Sequence, residues 1–406
     1  MKKIVLAPNP TGTGHNMRML TIGKKLMAVN SDLELVVLLG SRQDVFTSLF
    51  EKANIRVIDL NPTGIIDSSK KSHLEKHLDW NSMITQYFVP TFFNGDKILR
   101  YLQILEAEAP DLLISDYNIN ASFAAAMDEV KSVFVTERHN FTLVDVNIED
   151  LIQGGFEVNQ EEIRAAQKDL NQLFKWLVKN SELVITDKLF LDSFDSDKVL
   201  KEIHEKVHFT GSIYVEENNL PKLDFEQLKL DPKQPYIIGT VSSTTMLSEN
   251  RDKNFEFYKE VFQSLKKESP DLQMVIIGAS DQPERENGLI KLPYVPNWKE
   301  LIEQCSLLIS HPGWITVTEV AYLNIPTLFY LSSFTEYHEL EAYKRLEQIG
   351  CPVFTGYDPS QFCALIKAIL NQKFDFEKAY QQLCPNRNGL EEAASLIIKV
   401  LRRGED

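Results

Sequence analysis

A histidine, a glycine turn and a glutamate stand where an apolar run hands over to helical spacing in "ISHPGWITVTEVAYL", residues 309–323. The run stops at His311, turns through Pro312 and Gly313, and restarts with the periodicity of a helix. A helix start presents unpaired backbone N–H groups and the positive end of the helix dipole, which together attract anions. Thr316 adds a hydroxyl and His311 a ring N–H, while no Lys or Arg lies between 306 and 323. An anion bound here is therefore held by dipole and hydrogen bonds. A structural reading competes: Thr316-x-x-Glu319 has capping-box spacing, with Thr316 as cap and Glu319 reaching back.

The flanks enlarge the inventory. Tyr294, Pro296 and Asn297 follow a predicted strand upstream, and Glu336 follows the next strand downstream. An aromatic face, an amide, an anion-binding helix start and two carboxylates are what a nucleoside diphosphate sugar needs. The aromatic stacks on the base, the helix start holds the diphosphate, and the carboxylates accept from sugar hydroxyls.

Alternating strands and helices position these residues. "KIVLAP", "LELVVLL", "IRVIDL", "DLLISD", "SVFVTE", "LVITD" and "VHFTGSIY" are separated by helices over about 15–29, 43–53 and 96–109 and by the helical "NASFAAAMDEV". A second series reads "YIIGTVSS", a helix near 252–267, "QMVIIGA", helices at 298–304 and 315–323, and "TLFYL". Continuous Val/Ile/Leu runs between amphipathic helices mark parallel strands covered on both faces. The expected fold is α/β, two Rossmann-like doubly wound domains facing across a cleft. The expected domains are 1–214 and 236–388, joined by a polar, three-proline linker at 215–235. The closing segment 389–406, with a helix over 389–402, is expected to pack back on the first domain. In such folds ligands lie at the carboxyl ends of the strands. Two long aromatic-rich connections, 61–95 and 139–160, are expected either to line the site or to pack on the surface.

Composition narrows the function. A chain of 406 residues with 43% apolar and 25% charged residues is that of a soluble globular protein of two domains. A formal net charge of −15 argues against nucleic-acid backbones and anionic lipid as partners. No apolar run approaches the ~18 residues that span a bilayer. The start "MKKIVLAPNP" reads as a first strand rather than a signal peptide. Cys305, Cys351, Cys363 and Cys384 lack CxxC spacing and read as reduced cytoplasmic thiols. No His/Cys set has metal-ligand spacing, "DSD" at 195–197 reads as a capping turn, and His139, His204 and His208 read as structural. The expectation is therefore no metal and no cofactor.

Segment 294–336 resembles the nucleotide-sugar signature of the glycosyltransferase family that includes UDP-glucosyl-, glucuronosyl- and macrolide glycosyltransferases. More distantly it is similar to the lipid-linked N-acetylglucosaminyltransferases of cell-wall synthesis. "YVPN" resembles the opening of that box, and His311, Gly313, Thr316 and Glu319 match its His-x-Gly-x-x-Ser/Thr-x-x-Glu in order and spacing. The resemblance implies that Tyr294 stacks on the base and Asn297 lies near the ribose. It places His311, Gly313, Trp314 and Thr316 around the diphosphate and Glu319 on the ribose hydroxyls. Ser243 and Thr244, in "YIIGTVSSTTML", are implied to face the phosphates. Two departures stand out: Ile315 where the family often has Asn, and Thr335–Glu336 where a closing Asp-Gln reads the sugar.

The same resemblance gives the first domain its chemistry. In "PNPTGTGHNMRML" a Gly14–His15 pair opens a helix, where the family keeps its catalytic base, and Asp116 in "PDLLISDYN" matches the aspartate that orients it. An acceptor hydroxyl is a poor nucleophile, so the base must be neutral near pH 7, and a helix N-terminus disfavours imidazolium. The implied activity is inverting, metal-independent transfer from a nucleoside diphosphate sugar, UDP ahead of dTDP, to a hydroxyl of a lipid, natural product or protein. Two rivals are a nucleotide-sugar epimerase on the same fold, disfavoured by "GTGHN" in place of a Gly-Thr-Arg-Pro-Glu-like loop, and a non-catalytic partner that keeps the fold.

Overall fold

The computed structural model describes residues 1–10, 13–40, 44–60, 77–78, 93–136, 147–188, 191, 203–214, 222–241, 248–295, 298–334, 336–385 and 387–403. The chain divides into two compact units, Met1–Val215 with Asn386–Asp406, and Glu216–Pro385.

The first unit is built on β1 (Lys2–Pro8), β2 (Leu33–Leu39), β3 (Arg56–Asp59), β5 (Leu112–Asp116), β6 (Ser132–Thr136), β8 (Leu183–Thr186) and β9 (Val207–Phe209). They form a parallel sheet in the order β3-β2-β1-β5-β6-β8-β9, while β4 (His77–Leu78) and β7 (Glu157–Val158) pair separately. Alternation along each strand divides the core between two faces. Ile4 and Leu6 of β1 pack with Met19, Ile22 and Leu26 of the Thr13–Val29 helix, while Val5 and Ala7 pack with Tyr101, Leu105 and Ala124 on the other side. Reversal of strand order at β1 and β5 places their carboxyl ends side by side, with Pro8 opposite Asp116. In open α/β sheets that is where ligands bind.

The Gly389–Arg402 helix belongs to this unit. Leu390, Ala393, Ile397, Val400 and Leu401 recur at helical spacing and are buried in the same core as β1 and β2. Its acidic first turn and basic last turn follow the helix dipole. Gly389 sets how close its start comes: a Cβ there would lie 2.5 Å from the Ser212 carbonyl oxygen and 2.7 Å from that of Gly211. Backbone cannot swing aside as a flexible side chain does. Gly389→Ala is therefore expected to cost about 1–3 kcal/mol in urea unfolding, the usual range for overpacking.

The second unit contains β10 (Tyr236–Thr240), β11 (Gln273–Ile277), β12 (Glu284–Glu286), β13 (Leu289–Leu292), β14 (Leu307–Ser310), β15 (Thr327–Leu331) and β16 (Val353–Thr355). Their order is β12-β13-β11-β10-β14-β15-β16, parallel except for the edge strand β12. One face packs Ile238, Val275 and Leu308 against Trp314, Val317 and Leu346; the other packs Ile237, Met274 and Ile309 against Phe257, Tyr258 and Phe362.

Residues 222–235 differ from the linker reading. Leu223, Phe225, Leu228 and Leu230 bury against the second unit's core, and the Leu223 N–H donates to Glu300 Oε2 at 2.8 Å. Their apolar side chains are interleaved with charges, which hides a packed segment inside a polar composition. Of the two long connections, 61–76, 79–92 and 139–146 lie outside the described residues, as does the "DSD" turn. Among the described residues no helix is long and apolar enough to cross a membrane.

Candidate active site

Each unit carries its own cluster of polar side chains at strand ends. In the first, the helix begins at Thr13, so His15 lies in its first turn, beside the positive dipole end. Asp116 is the last residue of β5 and is fully buried. Tyr117 follows with a left-handed φ of 49°, and Asn118 then caps the Ile119–Met127 helix, accepting from the Ala121 N–H at 3.1 Å. A sharp reversal therefore fixes the backbone immediately after the carboxylate.

His15 Nδ1 lies 2.9 Å from Asp116 Oδ1, with 16% of the imidazole side chain exposed. Burial alone would raise the Asp116 pKa, but the Arg18 guanidinium and His15 hold it below the ordinary carboxylate value. An ionised carboxylate accepts, so Nδ1 carries a proton, and in the neutral ring the lone pair is then on Nε2. A histidine in that tautomer is a base.

In the second unit the helix is Trp314–Leu323, with Gly313 as its N-cap and no side-chain cap bond. The capping box does not form. Glu319 instead accepts from the Trp298 indole N–H at 2.8 Å, and burial pushes its carboxyl up to about 7 against that hydrogen bond. No side chain caps the backbone N–H groups at the helix start.

His311, just past β14, is buried, with Nδ1 3.0 Å from Glu336 Oε2 and 3.1 Å from Glu339 Oε2. Burial pulls its pKa down, but the two carboxylates outweigh it and push it up to about 10. The stability this contributes is fully present below about pH 6.5 and is lost as pH rises through about 10. Nε2 stands 3.5 Å from Asn254 Nδ2, too long to fix a protonation state. Asn254 Oδ1 in turn accepts from the Tyr357 hydroxyl at 3.0 Å. The other Glu336 oxygen accepts from the Ser332 N–H at 3.0 Å and from its hydroxyl. His311, Glu336 and Glu339 bring one ligand atom each within 4.8 Å of one another, a donor set that suits a divalent cation. A shared Nδ1 proton accounts for the 3.0 and 3.1 Å separations equally well.

No protein-family model matches the chain, and no curated protein matches it in sequence. Solved structures match it nearly end to end. The S. aureus MnaA–UDP co-structure is 13% identical, covers 100% of this chain and 98% of that one, and has a TM-score of 0.66. A protein assigned as a UDP-N-acetylglucosamine 2-epimerase from Listeria monocytogenes is 12% identical over 99% and 96% of the chains, at 0.64. The glycotransferase of kitacinnamycin is 14% identical over 98% of each, at 0.63. The chain has the glycosyltransferase B fold.

Within this fold the residues named from sequence meet different fates. His15 and Asp116 are brought together, with Gly14 beside them in the first helical turn. Gly313, Thr316 and Glu319 share the first turns of one helix, and Tyr294 is 43% exposed. The Trp314 side chain is corrected to a core role, because it is buried in the apolar cluster with the Arg345 guanidinium 5.9 Å from its ring centroid. Its backbone N–H still belongs to the helix start. Glu336, which the resemblance placed on the sugar, has both carboxylate oxygens engaged by His311 and Ser332. Ser243, Thr244, Asn297 and Thr335 lie outside the described residues.

Arg18, Asp187, Glu339 and Asn254 are the cluster members that sequence reading missed. Arg18 lies three residues after His15 on one helix, a spacing that puts both on the same face. That was the available signal.

Proposed function

We propose that the chain is an inverting, metal-independent glycosyltransferase that moves a sugar from a UDP-sugar to an acceptor hydroxyl. The observation that carries this is the His15–Asp116 pair, with Nδ1 2.9 Å from a buried carboxylate in the first turn of a helix. His15 Nε2 takes the proton of the acceptor hydroxyl as its oxygen attacks the anomeric carbon on the face opposite the nucleotide. Asp116 stabilises the imidazolium that forms. The UDP that leaves is received by backbone N–H groups at the start of the Trp314–Leu323 helix, by Thr316 and by the His311 imidazolium. Charge stabilisation of this kind acts where the negative charge develops.

Tyr294 supplies the stacking face for uracil, and Glu319 accepts from the ribose hydroxyls. UDP is favoured by the MnaA co-structure of the same fold, which contains it. Glu336 and Glu339 favour the charged form of His311, in a stretch, 306–323, that contains no Lys or Arg of its own. No cofactor enters this scheme. Cys305, Cys351, Cys363 and Cys384 form no disulfide, which suits a reducing cytoplasmic compartment.

Proton NMR of a UDP-sugar incubated with the protein tests the activity against its nearest rival. A transferase is expected to release UDP with water as a slow acceptor and to leave the donor's C2 configuration intact. Conversion to an epimeric sugar nucleotide without acceptor, visible in the anomeric and C2 protons, would make the chain an epimerase.

A further inference from the structure

The catalytic pair is embedded in a larger buried network. Arg18 is 1% exposed, and it shares a helix face with His15. Its Nε donates to Asp116 Oδ2 at 2.9 Å and its Nη2 to Asp116 Oδ1 at 2.6 Å, a two-pronged grip on one carboxylate. Its Nη1 donates to Asp187 Oδ2 at 2.8 Å. Asp187 directly follows β8 and is 2% exposed. In the sheet β6 lies between β5 and β8, so one guanidinium ties two strand ends that are not neighbours.

We propose that Arg18 is the positioning residue of the base, clamping Asp116 so that its Oδ1 holds the His15 Nδ1–H, and that Asp187 anchors the clamp. This rests on the reading of His15 as the base. A carboxylate carried by one rotatable bond can turn; one gripped at both oxygens by a planar fork cannot. Oδ1 thus receives two donors, Arg18 Nη2 and His15 Nδ1. Arg18 Nη2 also stands 3.4 Å from His15 Nδ1, and since a guanidinium has no acceptor this is packing and not a bond.

Arg18 has a second effect. A carboxylate with no solvent is driven towards its neutral form by burial, and the adjacent guanidinium reverses that for Asp116. Asp187 fixes the remaining arm of the fork. The outcome is one defined tautomer, with the Nε2 lone pair available. Lysine in place of Arg18 keeps the charge but cannot grip both oxygens and reach Asp187 at once.

The test is 15N NMR of histidine-labelled protein, with the His15 signal assigned by its loss in His15→Gln. Wild type is expected to show Nδ1–H and an unprotonated Nε2. Arg18→Lys and Asp187→Asn are expected to populate the Nε2–H tautomer that free imidazole side chains favour in water. UDP release from UDP-glucose is expected to fall about 10²-fold in kcat for Arg18→Lys, the size of a small misplacement, with KM kept within about twofold. If Arg18→Lys does not fold, Asp187→Asn carries the same readout. Retention of the wild-type tautomer in whichever variant folds overturns the clamp. A failure of the base reading looks different: His15→Gln would keep full turnover whatever the tautomer.

Discussion

Replacing His15 by alanine is expected to lower turnover about 10²–10⁴-fold while leaving the affinity for UDP unchanged, the range for removing a general base. A group that acts when the acceptor proton moves contributes to the transition state and not to donor binding, so kcat and kcat/KM fall together. Asp116→Asn is expected to slow the reaction through the same pair. An amide can present its NH₂ to Nδ1, which selects the wrong tautomer, and it loses the charge that the Arg18 fork grips. Because the two residues act as one unit, the double variant is expected to be far less than additive. Donor consumption and UDP binding measured on the three proteins check this. Near wild-type turnover in His15→Ala would make His15 a structural residue.

Glu319→Ala is expected to weaken UDP binding by about 1–3 kcal/mol, about 5- to 150-fold in Kd, as for leaving a buried hydrogen-bond partner unsatisfied. Capping cannot explain such a loss, since Gly313 and not Thr316 is the N-cap. Glu319→Gln separates binding from stability. The folded state raises this carboxyl to about 7, so folding favours the protonated form and the penalty for ionising it grows as pH rises through 7. A glutamine keeps an acceptor for the Trp298 N–H without that penalty. At pH above 7 the variant is expected to be more stable than wild type in urea unfolding, while below the ordinary glutamate pKa the two converge. Unchanged UDP affinity in Glu319→Ala would remove the ribose role.

The sheets were legible because each strand carries a local signal, and the His15–Asp116 pair, far apart in sequence, was legible only through the family resemblance. Runs such as "LELVVLL" bury both faces, and strand ends announce themselves where apolar residues stop at His311 or Asp116. The edge strand β12, "ERE", was invisible because its three residues are exposed and apolar patterning never marks it. Arg18 was hidden for the opposite reason: an arginine on an amphipathic helix reads as a solvent-facing cation until Asp116 and Asp187, distant in sequence, are seen to surround it. Thr316-x-x-Glu319 misdirected, since the spacing fits a capping box but the helix starts two residues earlier than Thr316. The Glu336–His311–Glu339 group could not be read at all, because its pairing is set by how β14 and β15 lie together and not by any spacing along the chain.

Calorimetric titration of UDP into EDTA-treated protein is the most direct test of the central claim, that a helix start and a charged histidine hold the diphosphate without a metal. Saturable binding at neutral pH is the expected result. Its affinity should decline as pH is raised towards 10, where His311 loses its proton. Binding that appears with Mg²⁺ or Mn²⁺ and vanishes with EDTA would instead make His311, Glu336 and Glu339 metal ligands and contradict the mechanism, and absence of UDP binding under both conditions would contradict the nucleotide-sugar assignment itself.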